Sequence, residues 1–438
     1  MNKPTCILQS PLFTRSGYGD WSMAVAKSLL RYNKFELKIV PTRWGGCPSK
    51  SDVSELNSDE EKTLFNSILR QPLQKQPELL IQISIPNEFQ TPAKFNIGMT
   101  AGIETTLPPG EWIEGLNRMN VNFVLSKFTK DGFSNVNLVK QHPNGTKEDI
   151  RSTKPMEVVN WGADTLIYKK TSIGVESVDK ALSEVTEDFN FLFVGQWTHN
   201  NGLYNDRKDI GMLVKTFLET FKGAKNTPGL ILKTNGVNHS RIDKHECLGR
   251  INKIKSEVGG DLPNVYLLHG ELTDVEMNAL FNHEKVKVHI SFTHGEGYGH
   301  PLLLASLSGK PIMAPAWSGH LDFLEADTAN FLYGDIKQIS PGSANQWLRG
   351  DSSWFYVNYE KAKSKMAGII ENYDKLLVKA EKLRVKNSDK FDIRSVDKQL
   401  HSMLDKYVPV FAVEQKLILP KLKRIDLPKL SKPPEIKP

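Results

Sequence analysis

Short apolar runs alternate with segments of helical spacing along the first part of the chain. Thr5–Leu8 is a predicted strand, and the spacing of Trp21, Val25 and Leu29 predicts a helix with Asp20 as its N-cap. Further strands are predicted at Leu79–Ile85, Phe95–Thr100, Asn122–Leu125 and Glu157–Asn160. Because strands that alternate with helices form parallel sheets with helices on both faces, this pattern indicates a doubly wound α/β domain.

A second series of the same kind begins after a polar stretch at residues 170–187. Asp209–Phe221 has an amphipathic helical pattern, and Thr273-x-x-Glu276 is a capping box before another helix. Apolar strands are predicted at Phe191–Val194, Leu230–Leu232, Val265–Leu268, Val286–Ile290 and Pro311–Ala314. Two Rossmann-like domains in tandem are therefore predicted.

We expect five segments along the chain. Residues 1–172 form an N-terminal Rossmann-like domain, residues 173–188 a linker, and residues 189–375 a C-terminal Rossmann-like domain. Residues 376–412 are expected to be helices that pack back across the domains, and residues 413–438 an extended tail rich in proline and lysine. A length of 438 residues agrees with two domains, because one hydrophobic core seldom supports so long a chain.

Composition narrows the class of protein. Hydrophobic residues make up 39% and charged residues 24% of the chain, which is typical of a globular enzyme. The three cysteines lie far apart, which argues against a disulfide scaffold or a zinc ribbon. With no signal peptide and no apolar run approaching about 18 residues, we expect a cytoplasmic protein. Residues 413–438 carry +4 of the net charge of +7, so the folded part is close to balanced.

The most informative stretch is Phe292–Ala305, with the sequence Phe-Thr-His-Gly-Glu-Gly-Tyr-Gly-His-Pro-Leu-Leu-Leu-Ala. It follows the predicted strand Val286–Ile290 and continues into an apolar helix that begins near Pro301. Glycines allow the backbone to approach a ligand closely, and free N–H groups at a helix start bind anions. Glu296 can accept hydrogen bonds from hydroxyls. An anion and hydroxyls on one ligand indicate a sugar phosphate.

This stretch resembles the donor-site signature of the large nucleotide-sugar-dependent family of retaining GT-B glycosyltransferases. The family signature is Glu-Gly-aromatic-Gly-Leu-Pro, a second Glu eight positions after the first, and then Gly-x-Pro-apolar-apolar-Ala. Glu296–Pro301 matches except at His300, and Gly309–Ala314 matches fully. The second Glu, which holds the donor ribose in the family, is replaced by Leu304. The resemblance therefore implies that nucleotide recognition is altered or uses another residue.

The resemblance extends upstream of this signature. Gly195 corresponds to the glycine at the end of the family's first strand in the second domain, and Gln196 stands where the family has an Arg. Lys208 is expected to keep the family's diphosphate-binding role, with Arg207 supplying the missing positive charge. In the first domain, many relatives have a donor-contacting His at the end of a strand. Glu104 is the best substitute candidate for it here.

The resemblance implies a site with three groups of residues. Its catalytic residues are Glu296, Lys208 and Glu104. The donor-binding residues are Gly195, Gln196, Arg207, Lys208, Gly297, Tyr298, Gly299, His300 and Pro301, and the acceptor-binding loop is Ser16, Gly17, Tyr18 and Gly19. We expect no metal, because the histidines show no helical ligand pair and the chain has no Asp-x-Asp motif. We expect no cofactor apart from the nucleotide-sugar co-substrate, whose base and sugar stay open.

The sequence leaves the acceptor open. A glycan, a lipid-linked sugar or a small metabolite is one class. A modified base in DNA is another, as in phage DNA-glucosylating enzymes, where the basic tail would help hold phosphate. The loss of the second Glu and of the usual Arg also leaves open a non-catalytic module that only binds nucleotide sugars.

Overall fold

The computed structural model describes residues 3–50, 54, 56, 58–198, 202–236 and 238–411, so the predicted tail at 413–438 lies outside the described residues. The chain forms two Rossmann-like α/β domains, each built on a six-stranded parallel sheet, followed by C-terminal helices. The predicted fold class is confirmed.

The first domain has the strand order β2-β1-β3-β4-β5-β8. Its strands are β1 (Thr5–Ser10), β2 (Glu36–Pro41), β3 (Leu79–Ile83), β4 (Phe95–Thr100), β5 (Val121–Val124), β6 (Leu138–Gln141), β7 (Lys147–Ile150) and β8 (Met156–Val158). Its helices are α1 (Gly17–Tyr32), α2 (Asp59–Asn66), α3 (Gly110–Arg118) and α4 (Lys127–Ser134). The strand β3 is buried at every position, as expected of a central parallel strand that is covered on both faces.

The second domain has the strand order β11-β10-β9-β12-β13-β14. After α5 (Glu176–Ala181) come β9 (Asn190–Val194), α6 (Ile210–Phe221), β10 (Gly229–Lys233), α7 (Arg241–Val258), β11 (Val265–Leu268), α8 (Asp274–Asn282), β12 (Val286–Ile290), α9 (His300–Ser306), β13 (Ile312–Pro315) and β14 (Asn330–Leu332). The order changes direction at β9 and β12, and ligands of such sheets bind at the carboxyl ends of the strands beside that point.

Three helices and a hairpin complete the second half of the chain. They are β15 (Gly334–Gln338), β16 (Ser353–Val357), α10 (Tyr359–Glu371), α11 (Tyr373–Lys390) and α12 (Ile393–Tyr407). The last helix packs on α1 of the first domain, where Asp397 receives a 2.6 Å hydrogen bond from the Arg31 guanidinium. No helix of the described residues is long and apolar enough to cross a membrane.

Local details differ from the sequence predictions at the start of α1. The N-cap of α1 is Ser16, whose hydroxyl accepts a hydrogen bond from Gly19 N–H at 3.0 Å, so the prediction of Asp20 was wrong. Ser16, Gly17, Tyr18 and Gly19 are therefore the cap and first turn of a helix rather than a loop. The polar stretch around residues 170–187 contains α5, whose Val178 is buried in the core. The capping box at Thr273 and Glu276 is confirmed.

Candidate functional site

Glu296 lies in the turn between β12 and α9, at the carboxyl edge of the second sheet. Its side chain is only 8% exposed. Ser318, in the segment that follows β13, fixes the turn, because its hydroxyl accepts a hydrogen bond from Glu296 N–H at 3.0 Å. The Glu296 carbonyl in turn accepts a hydrogen bond from Gly319 N–H at 2.9 Å. The backbone of Glu296 is thus held by hydrogen bonds at both its N–H and its carbonyl, which fixes the position from which the carboxylate extends.

Two cations reach this carboxylate from the segment just before α6. Lys208 forms an ion pair with one Glu296 oxygen, and the Arg207 guanidinium lies 3.2 Å from the other. Arg207 also donates to the Gly295 carbonyl at 2.8 Å and lies 3.4 Å from the carboxylate of Glu104 in the first domain. The structure therefore brings all three predicted catalytic residues and Arg207 into one charged cluster across the domain boundary.

Burial and charge act in opposite directions on this cluster. Burial raises the pKa of Glu296, but Lys208 and Arg207 outweigh it, so the pKa falls below the usual value. Burial lowers the pKa of Lys208, and Glu296 opposes this only in part. A buried cation without a counterion has a high free energy, so Lys208 and Arg207 need an anion beside them. A bound anion can supply that charge in place of the Glu296 carboxylate. The cluster is suited to an exchange of partners with a diphosphate.

The glycines of the turn are needed where it meets the first domain. A Cβ atom at Gly295 would lie 2.5 Å from the Glu104 carbonyl oxygen, and one at Gly297 would lie 2.4 Å from the Ala101 carbonyl oxygen. The Gly297 carbonyl accepts a 2.6 Å hydrogen bond from the hydroxyl of Ser126, the N-cap of α4. The Glu296 turn and the loop after β4 are therefore in direct contact.

Other predicted donor-site residues have different surroundings. The His300 ring stacks on Trp161 of the first domain with a centroid distance of 3.6 Å, and burial lowers its pKa to about 3. Tyr298 is 3% exposed and packs against Phe323. Gly299 has a positive φ of 85° and caps α9, whose second residue is Pro301. The rings of His300 and Tyr298 thus form part of the packing around the turn.

Gln196, which stands where the family has an Arg, makes its hydrogen bond outside the charged cluster. Gln196 donates a 2.7 Å hydrogen bond from its amide to the Gly236 carbonyl in the loop after β10. Gly195 lies beside Lys208, because a Cβ atom there would be 3.7 Å from the Lys208 Cε. Leu304, which replaces the second Glu of the family signature, is partly buried in α9 and packs against the hydrophobic core.

Of the predicted acceptor residues, Tyr18 contacts the end of β4 and the loop after it, which the Glu296 turn also contacts. Its hydroxyl lies 3.1 Å from the Thr100 hydroxyl and accepts a hydrogen bond from Ala101 N–H at 2.9 Å. Ala101 is the residue that Gly297 approaches. Sequence reasoning missed two supporting residues, Trp44 and Asp209. Trp44 stacks on Tyr18, and Asp209 is the N-cap of α6 directly after Lys208.

Comparison with known proteins identifies the fold of this chain but assigns it to no family. The sequence matches no protein-family model and no curated protein. Among solved structures, HepE (Alr3699) of Anabaena in complex with UDP and glucose is similar over 92% of this chain and 100% of its own, with 11% identity and a TM-score of 0.58. Sucrose-phosphate synthase of Thermosynechococcus elongatus is similar over 92% of this chain and 99% of its own, with 10% identity and a TM-score of 0.60.

These likenesses show a shared fold. The chain has the GT-B architecture, in which two Rossmann-like domains face each other across the site that contains Glu296 and Lys208. An E. coli structure described as trehalose-6-phosphate bound with UDP-2-fluoro glucose has the same fold, with 11% identity, a TM-score of 0.56 and coverage of 93% of this chain and 100% of its own.

Proposed function

We propose that this chain is a glycosyltransferase that transfers a sugar from a nucleotide-diphosphate sugar to an acceptor hydroxyl, with retention of anomeric configuration. The observation that carries the proposal is the charged cluster at the carboxyl edge of the second sheet. Lys208 and Arg207 both contact the buried Glu296, and Glu104 of the first domain completes the group. Neighbours of the same fold contain UDP with glucose, or UDP-2-fluoro glucose, so UDP-glucose is the first donor to test.

In this proposal Lys208 and Arg207 change partners when the donor binds. The diphosphate replaces the Glu296 carboxylate as their counterion, and the carboxylate then accepts hydrogen bonds from the sugar hydroxyls. When the bond between the anomeric carbon and the diphosphate oxygen breaks, its electron pair stays on that oxygen. Both cations stabilise the new negative charge.

The acceptor hydroxyl forms the new bond on the face from which the diphosphate leaves. Its proton passes to an oxygen of the departing phosphate, so atoms and charge balance without a protein nucleophile. The Glu104 carboxylate, 3.4 Å from Arg207, orients that cation from the acceptor side.

The test is turnover of UDP-glucose by the purified chain, measured as released UDP, with calorimetry for UDP binding. We expect turnover in the unaltered chain and its loss in Glu296→Ala. Glu371→Ala changes an exposed glutamate at the end of α10 and serves as the matched control. If both the unaltered chain and Glu296→Ala bind UDP-glucose but neither consumes it, the chain is a non-catalytic binding module and the proposal fails.

A further inference from the structure

Two aromatic rings stack at the carboxyl edge of the first sheet, next to the Glu296 turn. Tyr18 lies in the first turn of α1 and Trp44 in the loop that follows β2. Their ring centroids are 4.0 Å apart with an interplanar angle of 22°. Trp44 is partly exposed, so part of this stacked surface remains open to solvent.

The loop that carries Trp44 is tied to the segment before α1. Arg15 N–H donates to the Pro48 carbonyl at 2.9 Å, and Lys50 N–H donates to the Phe13 carbonyl at 2.8 Å. Beneath the stack, the Tyr18 hydroxyl is fixed by the hydrogen bonds to Thr100 and Ala101 described above. Trp44 is thus the outer layer of an aromatic pair whose inner layer is anchored beside the donor turn.

Two glutamates act electrostatically on the anchored end of this pair. Tyr18 has a pKa raised to about 12, mainly by burial, with further contributions from Glu104 and Glu88. Two of the nearby cations are engaged by acidic partners, and a third, Arg43 directly before Trp44, is exposed. Lys50 lies 3.6 Å from Glu61, and Arg15 forms an ion pair with Glu271 of the second domain. At the anchored end of the stack, the Glu88 and Glu104 carboxylates can accept hydrogen bonds from hydroxyls and would repel a phosphate group placed between them.

We propose that Trp44 is the stacking platform of the acceptor subsite and that the acceptor is an uncharged sugar ring. This inference rests on the proposed transferase function and deepens it. The apolar face of a sugar ring packs on the indole, a large rigid surface. Its hydroxyls then donate hydrogen bonds to the Glu88 and Glu104 carboxylates. One ring hydroxyl is held towards the Glu296 turn, where the transfer takes place.

The experiment is saturation-transfer NMR on the full chain with saturating UDP. The probes are three uncharged disaccharides (maltose, cellobiose and lactose), glucose 6-phosphate and a single-stranded thymidine 20-mer. We expect saturable signals from ring protons of at least one disaccharide, and none from the two anionic probes. Trp44→Ala should weaken disaccharide binding about tenfold, whereas Trp44→Phe, which keeps a ring, should weaken it about twofold to threefold.

Calorimetry of UDP binding separates the two proposals. If Trp44→Ala still binds UDP with the affinity of the unaltered chain, a loss of disaccharide signals is a loss of acceptor binding and supports the platform. Equal disaccharide binding in Trp44→Ala, no signal from any of the three disaccharides, or stronger signals from the oligonucleotide each overturn the platform proposal. Absence of UDP or UDP-glucose binding in the unaltered chain overturns the proposed function itself.

Discussion

The Nε2 atom of His294 and the Oδ1 atom of Asp209 face each other at 3.7 Å behind the ion pair of Lys208 and Glu296. Both side chains are almost fully buried, and neither of these two atoms has a hydrogen-bond partner among the described residues. Burial raises the pKa of Asp209 well above its usual value and lowers that of His294 to about 4. The pair joins the segment that carries Lys208 to the segment that carries Glu296.

Two replacements of Asp209 should distinguish what its hydrogen bond contributes to stability from what its charge contributes. Asp209→Asn keeps the size of the side chain and an acceptor for the Tyr359 hydroxyl, which donates to Asp209 Oδ2 at 2.6 Å. Asp209→Ala leaves the Tyr359 hydroxyl without its acceptor, at a cost of about 2 kcal/mol in the free energy of unfolding. We expect urea unfolding to show this loss for Ala and a much smaller one for Asn. Because burial raises its native pKa, Asp209 should reduce the stability of the unaltered chain as the pH rises above about 4, and Asp209→Asn should remove this dependence. The same pH dependence in both proteins would show that the carboxylate is charged in the native state.

Removal of the Glu296 carboxylate should affect transfer and UDP binding in opposite ways. Glu296→Gln leaves Lys208 and Arg207 with one anion fewer, and a bound diphosphate restores it. We expect UDP-glucose turnover to fall about 100-fold or more, while UDP binds at least as tightly as to the unaltered chain. Calorimetry and released UDP measure the two quantities, with Glu371→Gln as the control. Weaker UDP binding by Glu296→Gln would contradict the exchange of partners.

The lowered pKa of Lys208 predicts an alkaline limit to donor binding. Burial favours the neutral amine, so Lys208 loses its proton at a lower pH than a free lysine does. The cation that holds the diphosphate is present below this pKa and is lost as the pH rises through it. Lys208→Arg keeps its charge over the same range, because arginine does not deprotonate in proteins. Titration of UDP affinity with pH should show an alkaline fall in the unaltered chain and none in Lys208→Arg.

Much of the fold is predictable from the sequence because its parallel strands are continuous apolar runs. The bounds of Phe95–Thr100, Val265–Leu268 and Val286–Ile290 agree with the observed strands. The strand β2 was missed because its partly exposed Glu36-Leu-Lys-Ile-Val-Pro sequence has a single fully buried position. The hairpin β15–β16 was missed because its first strand is mostly exposed.

The candidate site was predictable from the sequence only at residues that belong to a local motif. Glu296 and Lys208 were found from motifs, and the structure places them in contact. Their support by Asp209 and His294 depends on a contact between residues far apart in the chain, which no local spacing reveals. The same holds for the stack of Trp44 on Tyr18, which joins the loop after β2 to α1. The roles of the remaining predicted donor and acceptor residues stay predictions.

The hairpin β15–β16 connects the second domain to the first. Ser353 N–H donates to the Thr106 hydroxyl at 2.9 Å, and its carbonyl accepts from Thr106 N–H at 2.8 Å. In the loop between the strands, Trp347 packs against Trp112 with a centroid distance of 6.2 Å. The second strand of the hairpin also holds the donor turn, because the Phe355 carbonyl accepts a 2.7 Å hydrogen bond from the His294 ring.

Loss of Trp347 should therefore loosen the two domains without disturbing either sheet. Trp347→Ala removes a partly buried ring from the contact with the first domain, at a cost of about 1–3 kcal/mol. We expect a larger radius of gyration by small-angle scattering in the absence of nucleotide, and a smaller difference with saturating UDP. Val378→Ala, at an exposed position on α11, is the control. An unchanged radius of gyration in Trp347→Ala would show that the remaining contacts between the domains, among them Ser353 with Thr106 and those around Gly297, hold the domains together without Trp347.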